Sequence, residues 1–151
     1  MLHKPIYLVN FILESLRKYP PFTVLFRKAN KDYRIPGTDT VIEKNGGIIV
    51  PVFSIQRDPQ YYDNPDKFDP DRFQPEEVKK RPHCFMQFGE GPRNCIAARF
   101  GMMQARTGLV TLLRNFEVDI GPRTIKKVAF SKRGIVNTVE GELFLNIKAI
   151  M

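Results

Sequence analysis

The chain has 151 residues, the length of one ordinary domain, and 42% of them are hydrophobic. This composition excludes a disordered tail, and no apolar run is long enough for a transmembrane helix. Two cysteines are too few for a disulfide scaffold. A net charge of +8 is compatible with nucleic acid, an anionic membrane or an acidic protein as partner.

The first half of the chain predicts one helix, short strands and a long coil. Residues 4–19 carry Ile6, Val9, Leu13 and Leu16 at helical spacing, and two prolines then end the pattern. The segment FTVLFRKA predicts one strand, and YRIPGTDTVIEKNGGIIVPVF predicts two more around an Asn-Gly-Gly turn. Residues 54–88 alternate prolines with aromatic rings, which indicates an ordered coil because rings this dense require burial.

The second half centres on a helix predicted over residues 96–116. Its apolar face consists of Ile96, Phe100, Met103, Val110 and Leu113. A stripe of small side chains consists of Ala97, Gly101, Ala105 and Gly108. Because glycine in a helix interior costs about 1 kcal/mol relative to alanine, we expect another backbone or a flat object beside this stripe. Residues 128–149 predict a hairpin or two short strands. The fold class is therefore α+β, mainly helical, with small β-sheets and a long ordered coil.

The loop FGEGPRNC gives one cysteine an unusual setting. Gly89 and Gly91 permit backbone angles that are closed to other residues, and Pro92 fixes one angle. Such a loop can direct backbone amides toward a sulfur, and the positive end of the following helix favours the thiolate of Cys95. A plain buried cysteine before a helix is the alternative, and the loop composition argues against it.

Several chemistries use a cysteine thiolate. A nucleophile needs a histidine base, and His3 and His83 lie in no catalytic signature. Zinc needs four ligands, and the two cysteines and two histidines show no finger-like spacing. Covalent haem attachment needs Cys-x-x-Cys-His, which is absent. An axial thiolate on haem iron needs one cysteine, space for a flat porphyrin, and a cation for its propionates, which Arg93 can supply.

The stretch FGEGPRNCIA, within residues 88–97, resembles the haem-binding loop of the cytochrome P450 superfamily, Phe-x-x-Gly-x-Arg-x-Cys-x-Gly. Phe88, Gly91, Arg93 and Cys95 match this pattern, and Ala97 replaces the usual glycine. The resemblance implies that Cys95 is the catalytic axial thiolate and the metal ligand of haem (iron protoporphyrin IX). It also implies cofactor contacts from the residues of this loop. For Arg27, the resemblance implies a second propionate contact, and an exposed arginine on a strand is the alternative.

Two further motifs, ESLR and PDRF, resemble the Glu-x-x-Arg helix and the meander motif of the same family. They imply a network of Glu14, Arg17 and Arg72 that fixes the meander, residues 54–88, onto the first helix. For Glu14 and Arg17 alone, which are i,i+3 neighbours, a solvated surface pair is the alternative. The stretch SIQRDP resembles His-Arg-Asp-Pro with Gln56 in place of histidine, which predicts an altered polar contact near the haem edge.

The resemblance also suggests surfaces for substrate and partner. Residues 22–25 and the turn at 136–138 correspond to substrate-contact segments, with sheet packing as the alternative. The segment EEVKKR, residues 76–81, is either a solvated face or part of a basic surface that docks the flavin domain of NADPH-cytochrome P450 reductase. Nucleic-acid binding is the rival use of the charge, and no recognised module for it is present. His83 and Cys84 are predicted to be meander residues without a role.

The stretches LRKYPP and FGEGPRNCIAARFGMMQ resemble the corresponding sequences of microsomal insect members of the family. The resemblance implies that residues 1–151 form the C-terminal part of the fold, from a truncated or partial gene product without the N-terminal membrane anchor. It implies a haem-thiolate monooxygenase on the cytosolic face of the endoplasmic reticulum membrane, oxidising apolar small molecules with O2 and electrons from NADPH. We expect the isolated chain to be inactive. The alternatives are a non-catalytic fragment unable to hold haem, and a basic binding module in which Cys95 is only structural.

Overall fold

A computed structural model describes residues 5–81, 83–125, 128–131 and 136–150. Within these ranges, four α-helices and eight short strands form an α+β fold, in agreement with the predicted class. The strands pair in twos, and every pair is antiparallel. Among the described helices, none combines the length and the apolar character needed to cross a bilayer.

The first helix, α1, spans Pro5–Lys18 and contributes two of the buried apolar side chains of the described core. It ends because Pro20 and Pro21 cannot continue the helix. Its buried apolar side chains are Leu8 and Ile12, whereas Ile6, on the predicted face, is 64% exposed. The predicted face is therefore wrong by part of a turn. The reason is that the meander packs against a helix face that also contains charged residues, which an apolar pattern cannot reveal. Residue 4 of the predicted helix lies outside the described ranges.

The strands after α1 form two small hairpins. Strand β1, Leu25–Lys28, pairs with β4, Gly47–Val50. Strands β2, Tyr33–Arg34, and β3, Val41–Ile42, form an additional pair between them, so YRIPGTDTVIEKNGGIIVPVF contains three strands instead of two. The missed reversal lies at Gly37, whose φ of +76° suits glycine, and Ile35 N–H donates to Thr40 O across 2.9 Å.

The meander is an ordered coil with short helical turns. Helix α2, Val52–Ile55, replaces the end of a predicted strand, and a 3₁₀ turn at Pro70–Phe73 precedes α3, Pro75–Lys79. Aromatic rings fix the coil to its neighbours: Phe68 packs on Phe11 of α1 at 5.1 Å between ring centroids, edge to face. The α1 helix and the 3₁₀ turn are therefore in direct contact.

The long helix α4 spans Ala98–Asn115, and strand β5, Phe116–Ile120, follows it without a loop. The helix predicted over residues 96–116 extends beyond the observed α4 at both ends. Residues 96 and 97 form a turn, since Ala98 N–H donates to Cys95 O at 3.3 Å, and Phe116 is extended. Strand β5 was not predicted as a strand, and it pairs with β8, Leu145–Ala149.

The predicted apolar face of α4 is largely turned to solvent. Phe100, Met103 and Val110 are 57%, 57% and 42% exposed, and Ile96 lies before the helix. The half-buried apolar side chains on α4 are instead Met102, Leu109, Leu112 and Leu113. Of the predicted face, only Leu113 is therefore among the half-buried side chains. The helix contacts α1.

The described part of the tail, residues 128–149, contains three short strands where a hairpin or two short strands were predicted. Strand β6, Ala129–Phe130, pairs with β7, Val139–Glu140, and β8 completes the pair with β5. Residues 132–135 of the predicted segment lie outside the described ranges.

Candidate functional site

The loop around Cys95 is closed by two backbone hydrogen bonds. Cys95 N–H donates to Phe88 O at 2.6 Å, and Gly89 N–H donates to Met86 O at 2.9 Å. Gly89 and Gly91 have φ angles of +69° and +73°, a region in which a side chain is unfavourable. The glycines of FGEGPRNC are therefore required by the backbone path, and the path fixes the main chain of the cysteine.

The side chain of Cys95 is exposed and precedes the first residue of α4. The small stripe continues from it along the helix, because Ala97, Gly101, Ala105 and Gly108 are all exposed. A Cβ atom built on Gly101 or Gly108 would meet no atom within 4 Å. Cys95 is therefore open to solvent, and the helix that follows it carries exposed small residues against which a flat group can pack.

Two arginines flank this loop. Arg93 is exposed at the end of the 3₁₀ turn Gly91–Arg93. Arg27, half-buried on β1, places a guanidinium nitrogen 3.4 Å from the position that a Cβ on Gly89 would occupy. The structure thus brings Arg27 against the cysteine loop, although the two residues are far apart in the sequence. The Cys95 loop therefore has two cationic side chains at it, Arg93 from the loop and Arg27 from β1.

Glu14 and Arg17 form a fully buried ion pair on α1. Both side chains are 0% exposed, and Arg17 Nε donates to Glu14 Oε2 at 2.6 Å. Arg17 Nη2 donates to the other carboxylate oxygen, Glu14 Oε1, at 2.8 Å. Arg17 also reaches the meander, with Nη1 bonded to Gln56 O and Nη2 to Pro65 O, each at 2.8 Å. This burial excludes the solvated surface pair, because the guanidinium is shared between the helix and the coil.

Arg72 lies at the edge of the same network. Its Nε is 3.6 Å from Glu14 Oε1, and its Nη2 donates to Asn64 O at 3.0 Å. Asp69 N–H donates to the same Glu14 oxygen at 2.9 Å. The structure therefore brings Glu14, Arg17 and Arg72 together. The contact between Arg72 and Glu14 is an ion pair without a hydrogen bond, unlike the paired bonds of Arg17.

Tyr62 is a member of this region that the sequence did not single out. Its ring is 2% exposed and has two arginine neighbours, with Arg17 Cζ 5.2 Å and Arg81 Cζ 4.6 Å from the ring centroid. Burial raises the pKa of Tyr62 to about 12, although the charge of Arg81 opposes the rise. The only signal in the sequence was the density of rings between prolines, which predicts burial but no partner.

His83 and Cys84 lie outside the loop itself. The His83 ring contacts the carboxylate of Glu90, and both side chains are exposed. Cys84 is buried, and burial raises the pKa of its thiol. His3 lies outside the described ranges. The two cysteines therefore differ in access, and only Cys95 is open to a ligand.

The two predicted substrate-contact segments line one cavity, and Asn137 of the second segment is bonded to the two prolines that precede the first. Asn137 N–H donates to Pro21 O at 2.7 Å, and Asn137 Nδ2 donates to Pro20 O at 3.1 Å. An open cavity of about 380 Å3 lies beside this junction. Its lining residues are Thr23, Val24, Pro51, Phe53, Ser54, Phe130, Ser131 and Asn137. The segments thus share one surface, although more than a hundred residues separate them in the sequence.

The donor set fits haem better than a metal ion held by several side chains. In the part of the chain that the structure describes, no three His, Cys, Asp or Glu side chains are grouped as a metal site. An axial haem ligand requires only one protein sulfur, and the exposed Cys95 provides it. The small stripe leaves room beside the sulfur, and Arg93 and Arg27 provide cations.

The chain is similar to known proteins over nearly its whole length. The model of the family described as Cytochrome P450 matches residues 1–145. The protein named probable cytochrome P450 6a14 of Drosophila melanogaster is 44% identical over 145 residues, which are 95% of this chain and 28% of that protein. Cytochrome P450 6k1 of Blattella germanica is 46% identical over 113 residues, 74% of this chain and 22% of that protein.

A third relative is cytochrome P450 6B7 of Helicoverpa armigera, with 41% identity over 142 residues. That match covers 93% of this chain and 28% of the relative. The chain therefore spans less than a third of the length of these curated relatives.

Proposed function

Because the chain belongs to the cytochrome P450 family, we propose that Cys95 is the axial thiolate ligand of a haem iron. The observation that carries this proposal is the exposed Cys95 side chain on a loop closed by the Cys95–Phe88 hydrogen bond. The half-buried Arg27 against Gly89 adds a second cation to Arg93 at the same loop. No other described cysteine is exposed, since Cys84 is buried.

The proposed activity is that of a haem-thiolate monooxygenase. When bound, haem supplies the oxygen chemistry, and a thiolate ligand favours cleavage of the O–O bond. The substrate class is apolar small molecules, with O2 as the oxidant and NADPH as the electron source through a reductase. The chain spans 28% of its first relatives, so this activity is proposed for the full-length proteins that contain such a segment.

Each residue of the site has a distinct proposed task. Cys95 holds the cofactor through its sulfur, and Arg93 and Arg27 neutralise its propionates. Phe88 and Gly91 shape the loop, and Ala97 keeps the side of the ligand clear. The Glu14–Arg17–Arg72 network holds the meander on α1 and thereby supports the loop, and it takes no part in the chemistry. The cavity near Thr23 and Asn137 is the proposed apolar substrate contact.

The partners and location follow from the family in the same way. We propose that a basic surface including Lys79 and Lys80, in the segment 76–81, receives the acidic flavin domain of NADPH-cytochrome P450 reductase. Lys79 and Lys80 are already paired with Glu76 and Glu77 on α3, so their contribution to such docking depends on exchanging these partners. The proposed location is the cytosolic face of the endoplasmic reticulum membrane, with association through an N-terminal anchor in longer family members.

The second candidate function is a non-catalytic polypeptide that does not retain haem. The observation in its favour is the exposure of Cys95, Phe100 and Met103, because nothing in the described ranges covers the opposite side of a flat ligand. Haem held only from one side exchanges with solvent. We therefore expect the isolated chain to show no turnover, even where ligation by Cys95 is retained.

The experiment is a carbon monoxide difference spectrum of the purified chain with haem and reductant. A red-shifted, thiolate-type band that is lost in Cys95→Ser and kept in Cys84→Ser supports ligation by Cys95. A histidine-type band, or no band in any variant, supports the second candidate. Product formation after addition of a reductase, NADPH and an apolar substrate would contradict the expected inactivity of the isolated chain.

A further inference from the structure

We propose that Gln56 is a positioning residue that links the Cys95 loop to the buried Glu14–Arg17 pair through a donor and an acceptor on one amide. The Gln56 side chain is 0% exposed. Its Nε2 donates to Arg17 O at 3.0 Å, and its Oε1 accepts from Met86 N–H at 3.3 Å. Its own main-chain oxygen accepts from Arg17 Nη1 at 2.8 Å. One buried residue therefore connects α1, the meander and the chain entering the loop.

Met86 carries this connection into the loop. Its N–H is held by Gln56, and its carbonyl accepts from Gly89 N–H at 2.9 Å. Phe88, between these two residues, accepts the N–H of Cys95 at 2.6 Å. The main chain that fixes Cys95 is thus held at Met86 by a side chain bonded to Arg17. Without that bond, the segment before the loop would lose a hydrogen bond that ties it to a buried side chain of the meander.

The position requires one donor and one acceptor at the same time. The carbonyl of Arg17 faces the Nε2 atom and needs a donor, whereas Met86 N–H needs an acceptor. An amide provides both at every pH. A neutral imidazole also provides both, but a protonated imidazole has two donors and would face Met86 N–H with the wrong polarity. A buried polar group that loses its partner is costly, so the protonated ring should release Met86.

The charged groups around Gln56 come from α1 and from the meander itself. Arg17 and Glu14 approach from α1, and Arg57 follows Gln56 in the meander with Asp66 as its ion-pair partner at 3.4 Å. On the loop side, the contact is the backbone of Met86. The cations nearest to Gln56 disfavour an added positive charge, so an introduced imidazole would titrate at or below its ordinary range.

The inference rests on the Cys95 loop being the site proposed above, but its test reads the loop without a cofactor. Gln56→Met retains the length of the side chain and removes both hydrogen bonds. Gln56→His retains both bonds only while the ring is neutral. Gln60→Met and Gln60→His are matched controls, because Gln60 is an exposed glutamine of the same meander.

The measurement is amide hydrogen exchange in the purified chain, corrected for the intrinsic rate at each pH. In Gln56→Met we expect the Met86 and Cys95 amides to exchange roughly fivefold faster than in the original chain, as for the loss of one net hydrogen bond. Amides of the β5–β8 pair should be unchanged. In Gln56→His we expect slow exchange at pH 8 and accelerated exchange near pH 5, with no such change in Gln60→His.

Unchanged exchange at Met86 and Cys95 in Gln56→Met overturns the proposal. If that variant does not fold, Gln56→His decides the question, because its two states are compared within one protein. In Gln56→His, equal corrected exchange at two pH values between which NMR shows the introduced imidazole to become protonated also overturns it. A carbon monoxide spectrum without a thiolate-type band, together with the expected exchange changes in the Gln56 variants, would instead contradict the haem proposal. The role of Gln56 would then stand.

Discussion

At the scale of single residues, the burial of Glu14 and Arg17 determines what their pairing contributes. The same i,i+3 spacing occurs in two settings in this chain, fully buried at Glu14–Arg17 and exposed at Glu76–Lys79. An exposed pair contributes little, since water and salt screen both charges. A buried pair that loses one partner leaves an uncompensated charge inside the protein.

We therefore expect Glu14→Gln to lower the free energy of unfolding by about 3 kcal/mol, because Arg17 and the nearby Arg72 lose their counter-ion. Urea denaturation of the purified chain measures the change. Glu76→Gln is the matched control and should leave the unfolding midpoint where it was. Equal effects of the two substitutions would show that burial does not distinguish the pairs.

A second residue-scale prediction concerns Tyr62, whose pKa is raised to about 12 by burial. Between its ordinary pKa of about 10 and the raised value, the unfolded chain releases the phenolic proton while the folded chain keeps it. The folded state therefore loses stability as the pH rises, by roughly 2 kcal/mol between about pH 9.5 and 11.5.

Tyr62→Phe removes this loss because phenylalanine has no proton to release. Denaturant titrations across that pH interval should give a flatter stability profile for Tyr62→Phe. Tyr61→Phe, at an exposed neighbour, should retain the original slope. A profile for Tyr62→Phe that is as steep as the original would refute the assignment of the loss to Tyr62.

At the scale of elements, α4 is a helix that packs on only part of its circumference. None of its residues is fully buried, and the space next to Gly101 and Gly108 is open. Glycine at such positions weakens the helix, and no described residue packs against the space that a side chain there would occupy. A porphyrin on Cys95 is the group proposed here to use that space.

We expect Gly108→Ala to stabilise the isolated chain by about 0.5–1 kcal/mol, because alanine is the better helix former. Thermal unfolding, monitored by circular dichroism, shows whether the substitution raises the unfolding temperature. Gly46→Ala is the opposite control, since its Cβ would lie 2.8 Å from Glu43 O and should destabilise the chain.

If the small stripe faces a flat cofactor, Gly108→Ala and the corresponding Gly101→Ala should hold haem less well, because each adds a methyl group to the surface that the cofactor approaches. Retention is measured as the rate at which apomyoglobin removes haem from the loaded chain. Variants that are more stable and retain haem equally well would show that the small stripe faces something else.

At the scale of the whole molecule, the buried apolar residues are concentrated in the first helix and the meander. The buried apolar side chains belong to α1, α2, the meander and its 3₁₀ turn. They are Leu8, Ile12, Val52, Tyr62, Phe73 and Cys84. By contrast, every residue of β8 is exposed, and α4 has no fully buried residue. Local stability in a protein follows local packing. We therefore expect α4 and the β5–β8 pair to open independently of α1 and the meander.

We expect hydrogen exchange of the isolated chain to fall into two groups. Amides in α1 should exchange at least tenfold more slowly than those in α4 and in the β5–β8 pair, because only α1 is anchored by buried side chains and the Arg17 bonds. Mass spectrometry of peptic fragments separates these segments. Equal protection in α1 and α4 would mean that the chain unfolds as a single unit.

The sequence by itself determined the features that depend on local chemistry. The glycines around Cys95 predicted a loop that needs positive φ angles, and Gly89 and Gly91 adopt them. The two long helices were predicted from periodicity and prolines, and the family from short motifs. These features follow from residues close together in the chain, for which the backbone and a few neighbours set the outcome.

The tertiary structure alone decided which faces are buried and which residues meet. It turned the predicted apolar face of α4 to solvent, paired β5 with β8, and placed Arg27 against the cysteine loop. It also made Gln56 and Tyr62 partners of Arg17. The physical reason is that burial and polar pairing are set by contacts between segments distant in the chain, and no local pattern of residue types encodes the partner.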